Sequence, residues 1–306
     1  MIQKCNQFSV FVGLLSLVFG AANASEPLVL QSDFGMKDIA VASMKGVAVG
    51  VSRDLDIYDL THEVPTFNIW EASLRLEQGA EYWPKGTVFV SVVDPGVGTA
   101  RKSVVLKTKS GQYFVSPDNG SLTAVAERYG IEGVREIDEA VNRLADSEAS
   151  YTFHGRDVYA YTGARLAAGI ISFEQVGRKL PNEVERIPYQ RPQFSEGRIA
   201  GNVEILDPQF GNIWTNIDRD TFRKLGLEPG DQVSVSISNN DETVYQGPMP
   251  YYKSFGRTDV GEPILYLNSI GDVALAINQG NFSSKFQVFS GPDWGIELAK
   301  LASAEP

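Results

Sequence analysis

Apolar positions in the first half of the chain form short runs whose period switches between two and about 3.6, the alternation of strands with helices. Leu28-Val29-Leu30-Gln31 is a short apolar run that ends in Ser32-Asp33-Phe34-Gly35. The spacing from Ile39 to Val51 predicts a helix, and Asp56 to Leu60 a second strand. A helix is predicted over Ile69 to Tyr82, stopped by Pro84. Thr87 to Val93 is the clearest buried strand, β-branched and uncharged, and it ends at Asp94-Pro95-Gly96. The alternation runs to about Leu180 and predicts an α/β sheet covered by helices. Ligands collect at the carboxyl ends of strands in such sheets, where Asp33 and Asp94 both stand.

The pattern changes after Ile187-Pro188-Tyr189-Gln190-Arg191-Pro192. Beyond it come short alternating runs at Ile199 to Leu206, Gln232 to Ser238, Glu242 to Gln246, Pro263 to Asn268 and Phe286 to Phe289. Turn residues separate them, as in Glu228-Pro229-Gly230-Asp231 and Ser238-Asn239-Asn240-Asp241. This predicts a small, all-β, barrel-like antiparallel domain. The expected organisation is an α/β N-terminal domain over 25–187, a linker over 188–198 and a β-barrel C-terminal domain over 199–306. No internal repeat or low-complexity tract interrupts it.

Residues 1–24 read as a signal peptide. Lys4 precedes an apolar stretch from Phe8 to Phe19, and Ala22-Asn23-Ala24 supplies the small-x-small pattern read by signal peptidase. The stretch is short for a bilayer span, so the expectation is export to the periplasm or medium with no stable membrane insertion after cleavage. The sole cysteine, Cys5, is then lost, which leaves no disulfide and no thiolate chemistry. With 38 acidic and 27 basic side chains the formal charge is −11, and losing Lys4 makes it −12. Such a balance argues against nucleic acid and anionic lipid as partners.

The motif inventory narrows the chemistry. There are two histidines, His62 and His154, and neither lies in a helical metal-binding pair. A carboxylate-only magnesium or calcium site stays open on residue types, though no EF-hand spacing appears. P-loop and nucleophile-elbow signatures are absent. Asp94-Pro95-Gly96-Val97-Gly98-Thr99 is, by itself, as readily a tight turn as a site. Its position after the best strand favours function, and Arg101 follows closely enough to fold back onto its carboxylate. Phe153-His154-Gly155-Arg156-Asp157 reads either as a hydrogen-bonded helix start or as an accessible histidine beside glycine. His62, in Asp59-Leu60-Thr61-His62, is as readily a satisfied structural histidine as a site residue. Asp207-Pro208-Gln209-Phe210-Gly211-Asn212 and Asn268-Ser269-Ile270-Gly271 are, on composition, ordinary turns.

Six motifs in one order resemble a single family: Asp33-Phe34-Gly35, Asp59 to His62, Asp94 to Thr99, Pro117-Asp118-Asn119-Gly120, Phe153 to Asp157 and Phe210-Gly211-Asn212. The family is that of the S-adenosyl-L-methionine hydroxide adenosyltransferases, related to the 5′-halogenases that make 5′-fluoro- and 5′-chloroadenosine. The resemblance implies water-derived attack at C5′, giving adenosine and L-methionine; the sequence itself gives no reason to invoke a cofactor or a metal. It implies a catalytic set of Asp94, Arg101 and His154. It implies substrate contacts from Asp33 to the ribose, Asp207 and Ser269 to the methionine part, Asn212 to adenine, and pocket rings from Phe67 and Phe210. It also implies a homotrimer with sites between the first domain of one subunit and the second domain of the next.

Within that resemblance Asp94 separates hydrolysis from halide transfer, since the halogenases carry an apolar or aromatic residue there. A carboxylate beside the attacking position repels halide and favours water. Ile270 departs from the fluorinating relatives, which have an arginine there. The alternatives are a non-catalytic exported adenosine or S-adenosylmethionine binder, and a halide transferase.

Overall fold

The computed structural model describes residues 25–301. The expected signal peptide, with Cys5, lies outside the described residues. The N-terminal part is a seven-stranded sheet. Its strands are β1 (Leu28–Ser32), β2 (Ile57–Thr61), β3 (Val88–Val92), β4 (Ser103–Thr108), β5 (Tyr113–Pro117), β6 (Ile131–Glu136) and β7 (Lys179–Leu180). Their order is β2-β1-β3-β5-β4-β6-β7. β2, β1, β3 and β5 run parallel, and β4, β6 and β7 are antiparallel additions.

β1 and β3 are apolar throughout because both of their faces are covered. Leu28, Leu30, Val88, Val90 and Val92 join one core, which includes Met44 and Ala48 of α1 (Ala40–Val51) and Ala164 of α4 (Tyr161–Ala167). Val29 and Phe89 face the other, with Leu76 of α2 (Ile69–Ala80) and Val125 of α3 (Thr123–Arg128). α2 begins where the Asn68 side chain accepts from Glu71 N at 2.9 Å, a side-chain N-cap.

The C-terminal part is an eight-stranded antiparallel sheet, nearly closed as a barrel. It comprises β8 (Gln193–Ser195), β9 (Arg198–Leu206), β10 (Ile213–Asp218), β11 (Gln232–Asn239), β12 (Glu242–Pro250), β13 (Pro263–Leu267), β14 (Asp272–Ile277) and β15 (Trp294–Lys300). The path is β12-β11-β15-β9-β10-β14-β13, with β8 on β9. A bridge between Tyr251 and Leu265 brings the two ends together. Pro248 and Pro250 continue β12 past Gln246 because it is an end strand, where a missing N–H breaks no ladder.

Two expectations need correction. Gln193–Ser195, inside the expected linker, is strand β8 paired with β9. Phe286 to Phe289 is not a strand: Phe286 closes a helix, α6 (Phe282–Phe286), and Gln287 turns left-handed at φ 54°. Asn281 caps that helix through Ser284 N at 2.7 Å. The i,i+4 spacing of Phe282 and Phe286 sets both rings against Tyr245, at 5.2 and 4.8 Å. The local run of apolar letters carried no sign of that cap.

α2 ties the two parts together. Trp70 Nε1 donates to Glu204 O of β9 at 2.7 Å, and Arg75, ion-paired with Glu71, reaches Leu206 O. No helix among the described residues is long and apolar enough to cross a membrane.

Candidate active site

The parallel strands β1, β2 and β3 end at one edge of the sheet, and the turns that follow them carry Asp33, His62 and Asp94. β4 runs antiparallel, so its start, just after Arg101, lies at the same edge. Gly96 eases that return: a Cβ there would sit 3.4 Å from Arg101 Cγ and 3.3 Å from Thr99 Oγ1, so both side chains would have to give slightly. His154 stands immediately before a turn of π-helix, Gly155–Ala160. Gly155 lets this helix start close to the sheet, since a Cβ there would lie 3.0 Å from Val92 Cγ1.

Of these, Asp33, Asp94 and His154 meet in one cleft of about 250 Å³, whose walls also include Phe34, Phe67 and Phe153. Arg101 forks onto Asp94, with Nε to Oδ1 at 2.9 Å and a terminal nitrogen to Oδ2 at 2.5 Å. The same terminal nitrogen reaches His154 Nδ1 at 2.9 Å, and the other donates to Ser103 Oγ at 3.0 Å. Both side chains of the pair are nearly buried, at 5% exposure for Asp94 and 11% for Arg101. Burial opposes the Arg101 charge, but the hydrogen bonds to Asp94 outweigh it and hold the guanidinium pKa above its usual value.

A guanidinium only donates, so His154 Nδ1 is an acceptor and the ring proton sits on Nε2. Burial pushes the His154 pKa below the usual imidazole range, as does the Arg101 charge, which favours the neutral ring. Nε2 is buried and has no partner among the described residues. Tyr159, fully buried, completes the set: its hydroxyl lies 3.3 Å from Asp94 Oδ2 and 3.2 Å from Ser103 Oγ.

Tyr159 and Ser103 were not singled out from sequence. The signal was the five-residue step from His154 to Tyr159, which brings both to one face in a π-turn and not in an α-helix. Arg156 pairs with the fully buried Asp157 at 2.6 Å and stacks on Phe153, so it braces the cleft wall.

Asp33 and Phe67 are also joined: Phe67 N donates to Asp33 Oδ2 at 2.9 Å, with Phe67 at φ 65° and its ring largely exposed. The other four expected substrate contacts lie elsewhere in this chain. Phe210 and Asn212 line a groove on the barrel with Phe255, Asn278 and Asn281. Asp207 closes its own turn, its Oδ1 accepting from Gln209 N at 3.0 Å and Phe210 N at 3.2 Å. Ser269 borders a third cleft, between α2 and the barrel, beside Glu77, Glu204 and Asp272. A single chain therefore does not bring Asp207, Phe210, Asn212 and Ser269 to Asp94. That third cleft has about 520 Å³ and holds none of the Asp94, Arg101 and His154 set. No cluster of three or more His, Cys, Asp or Glu among the described residues is arranged to hold a metal ion.

The fold and the site together define a two-part protein, an α/β sheet with a clamped carboxylate at its strand-end edge followed by an antiparallel barrel. The family models for the SAM hydroxide adenosyltransferase N-terminal and C-terminal domains match residues 28–177 and 201–295. The chain belongs to the SAM hydroxide adenosyltransferase family. It is 38% identical over 202 residues to the (R)-S-adenosyl-L-methionine hydrolase of Methanocaldococcus jannaschii, covering 64% of this chain and 69% of that one. The Thermus thermophilus protein of the same name is 32% identical over 264 residues, 83% of this chain and 93% of the other. A fluorinase of Actinopolyspora mzabensis is 29% identical over 293 residues, 87% and 96% of the two chains. The crystal structure of an uncharacterized conserved protein from Thermotoga maritima superposes with a TM-score of 0.80 at 38% identity, covering 89% of this chain and all of that one.

Proposed function

We propose that this protein hydrolyses S-adenosyl-L-methionine to adenosine and L-methionine. A water oxygen bonds to C5′, the C5′–S bond breaks with its electron pair going to sulfur, and the water loses a proton. The sulfonium is already a good leaving group, so the protein has to position water and let that proton pass to solvent. Arg101 and Asp94 supply the orienting charges, and burial makes them effective. His154, neutral and accepting from Arg101, holds the guanidinium in place. Asp33 faces the ribose.

The observation that carries this reading is the Asp94 carboxylate, held in the cleft wall by both prongs of Arg101. An anionic nucleophile entering there meets a carboxylate, and the guanidinium opposite is already engaged. Water does not suffer that repulsion. Halide transfer is the second reading, favoured by the fluorinase relatives. Incubating the purified protein with S-adenosylmethionine and separating the products decides between them. Adenosine above the uncatalysed rate is expected. 5′-Chloroadenosine in high chloride supports transfer, and tight adenosine binding without turnover supports a binder.

We also propose a homotrimer in which the Phe210–Asn212 groove of one subunit completes the Asp94 cleft of the next. The separation of these residues within one chain supports it, as does the exposure of Phe67 (67%) and Phe210 (63%). Mixing an Asp94→Asn variant with an Asn212→Ala variant is expected to restore part of the activity. Export to the periplasm is read from residues 1–24, and fractionation of cells producing the full chain tests it.

A further inference from the structure

The Asp59-Leu60-Thr61-His62 motif has no part in the chemistry above, yet its side chains form a continuous hydrogen-bonded line to the Asp33 turn. Lys45 of α1 donates to Asp59 Oδ2 at 2.6 Å. Asp59 Oδ1 lies 3.1 Å from His62 Nε2, and His62 Nδ1 lies 2.7 Å from Ser32 Oγ. Ser32 Oγ then accepts from Phe34 N at 3.3 Å. The His62 carbonyl accepts from Gly35 N at 2.7 Å. Asp33 is thus flanked on both sides by residues anchored to His62.

The donors along this line can be assigned. Asp59 only accepts, so Nε2 carries the ring proton, Nδ1 is bare, and the Ser32 hydroxyl donates to it. That assignment needs a neutral imidazole. Burial holds the His62 pKa below the ordinary value, although Asp59 and Glu63 pull the other way and Lys45 pushes with burial. Burial raises the Asp59 pKa, but hydrogen bonds from Lys45 and His62 outweigh it and keep the carboxyl low, so it stays ionised near neutral pH.

Ser, His and Asp in line suggest a hydrolytic triad, but Ser32 is fully buried and its oxygen is engaged by both His62 and Phe34 N, so no substrate reaches it. What remains is mechanical. Asp33 follows directly from Ser32, and its carboxylate must present one oxygen to the cleft while the other holds Phe67 N.

We propose that His62 is a positioning residue, which fixes the Asp33 turn through Ser32 and Gly35 and so sets recognition of the ribose hydroxyls. This rests on the reading of Asp33 as the ribose contact.

The test uses calorimetric titration of the full-length protein with adenosine and with 2′,3′-dideoxyadenosine, which lacks the hydroxyls. The parent is expected to prefer adenosine. His62→Leu and Ser32→Ala are each expected to lower adenosine affinity about tenfold, the scale of one lost buried hydrogen bond. Both should leave dideoxyadenosine affinity unchanged, and the rise in KM should exceed any fall in kcat. His62→Asn keeps an acceptor at the position of Nδ1 and is expected to restore most of the preference. A folded His62→Leu that retains the parent preference overturns the proposal. If His62→Leu does not fold, Ser32→Ala decides by the same criterion. A parent that binds both nucleosides alike overturns the reading of Asp33 itself, and the proposal with it.

Discussion

Replacing Arg101 by lysine keeps the charge and removes the fork. The guanidinium makes four polar contacts: two with Asp94, one with Ser103 and one with His154. An ammonium is a compact point charge and matches a carboxylate at one prong only. With Asp94 and Arg101 both nearly buried, the lost contacts are charge-assisted, about 1.5–3 kcal/mol each. The relocated ammonium keeps one of them and water replaces part of the others. A net loss of about 2–4 kcal/mol in transition-state stabilisation follows, roughly thirtyfold to a thousandfold in kcat/KM. Adenosine release from S-adenosylmethionine, followed chromatographically in initial-rate mode, measures it. Thermal unfolding of the same sample shows whether the fold is intact. Arg101→Lys within about threefold of the parent, a difference below 1 kcal/mol, would refute the view that the geometry of the fork, beyond its charge, organises the site.

Asp94→Asn and His154→Ala are each expected to lower kcat by at least about a hundredfold while leaving adenosine binding largely intact, as initial rates and calorimetry together would show. In the cleft between α2 and the barrel, burial pushes the Glu204 carboxyl up to about 8, Glu77 to about 7 and Asp272 to about 6. The folded state therefore holds these protons more tightly than the unfolded chain. Their contribution is complete below the ordinary carboxyl pKa and is lost as pH rises towards 8. Glu204→Gln should accordingly be more stable than the parent at pH 8 and equal to it near pH 4, measured by denaturant unfolding. Gly163→Ala places a methyl group onto Val90 Cγ2 in the core under α4. It should lower stability by about 1–3 kcal/mol in the same assay, with kcat nearly unchanged.

Features that depend on neighbours along the chain were legible in the letters. The buried runs Leu28–Gln31 and Thr87–Val93 announced central strands, because a strand covered on both faces must be apolar at every position. Asp94-Pro95-Gly96 and Phe153-His154-Gly155 marked turns that border one cleft. The barrel strands were visible where alternation was regular. They were missed at Ile213–Asp218, whose apolar letters do not alternate, at Asp272–Ile277, which is almost wholly apolar, and at Trp294–Lys300.

Other decisions belong to the tertiary structure, since they depend on pairs far apart in sequence. Only the packed sheet shows that Arg101 reaches His154, 53 residues away, and that Tyr159 lies under Asp94. Only the fold distinguishes a structural His62 from an idle one, because Ser32 sits on the neighbouring strand. The substrate contacts grouped by sequence resemblance fall into separate clefts of one chain, Phe210 and Asn212 on the barrel and Ser269 beside α2, for the same reason. A motif fixes the local turn and the residue type, while the distance between two motifs is set by strand order and domain packing.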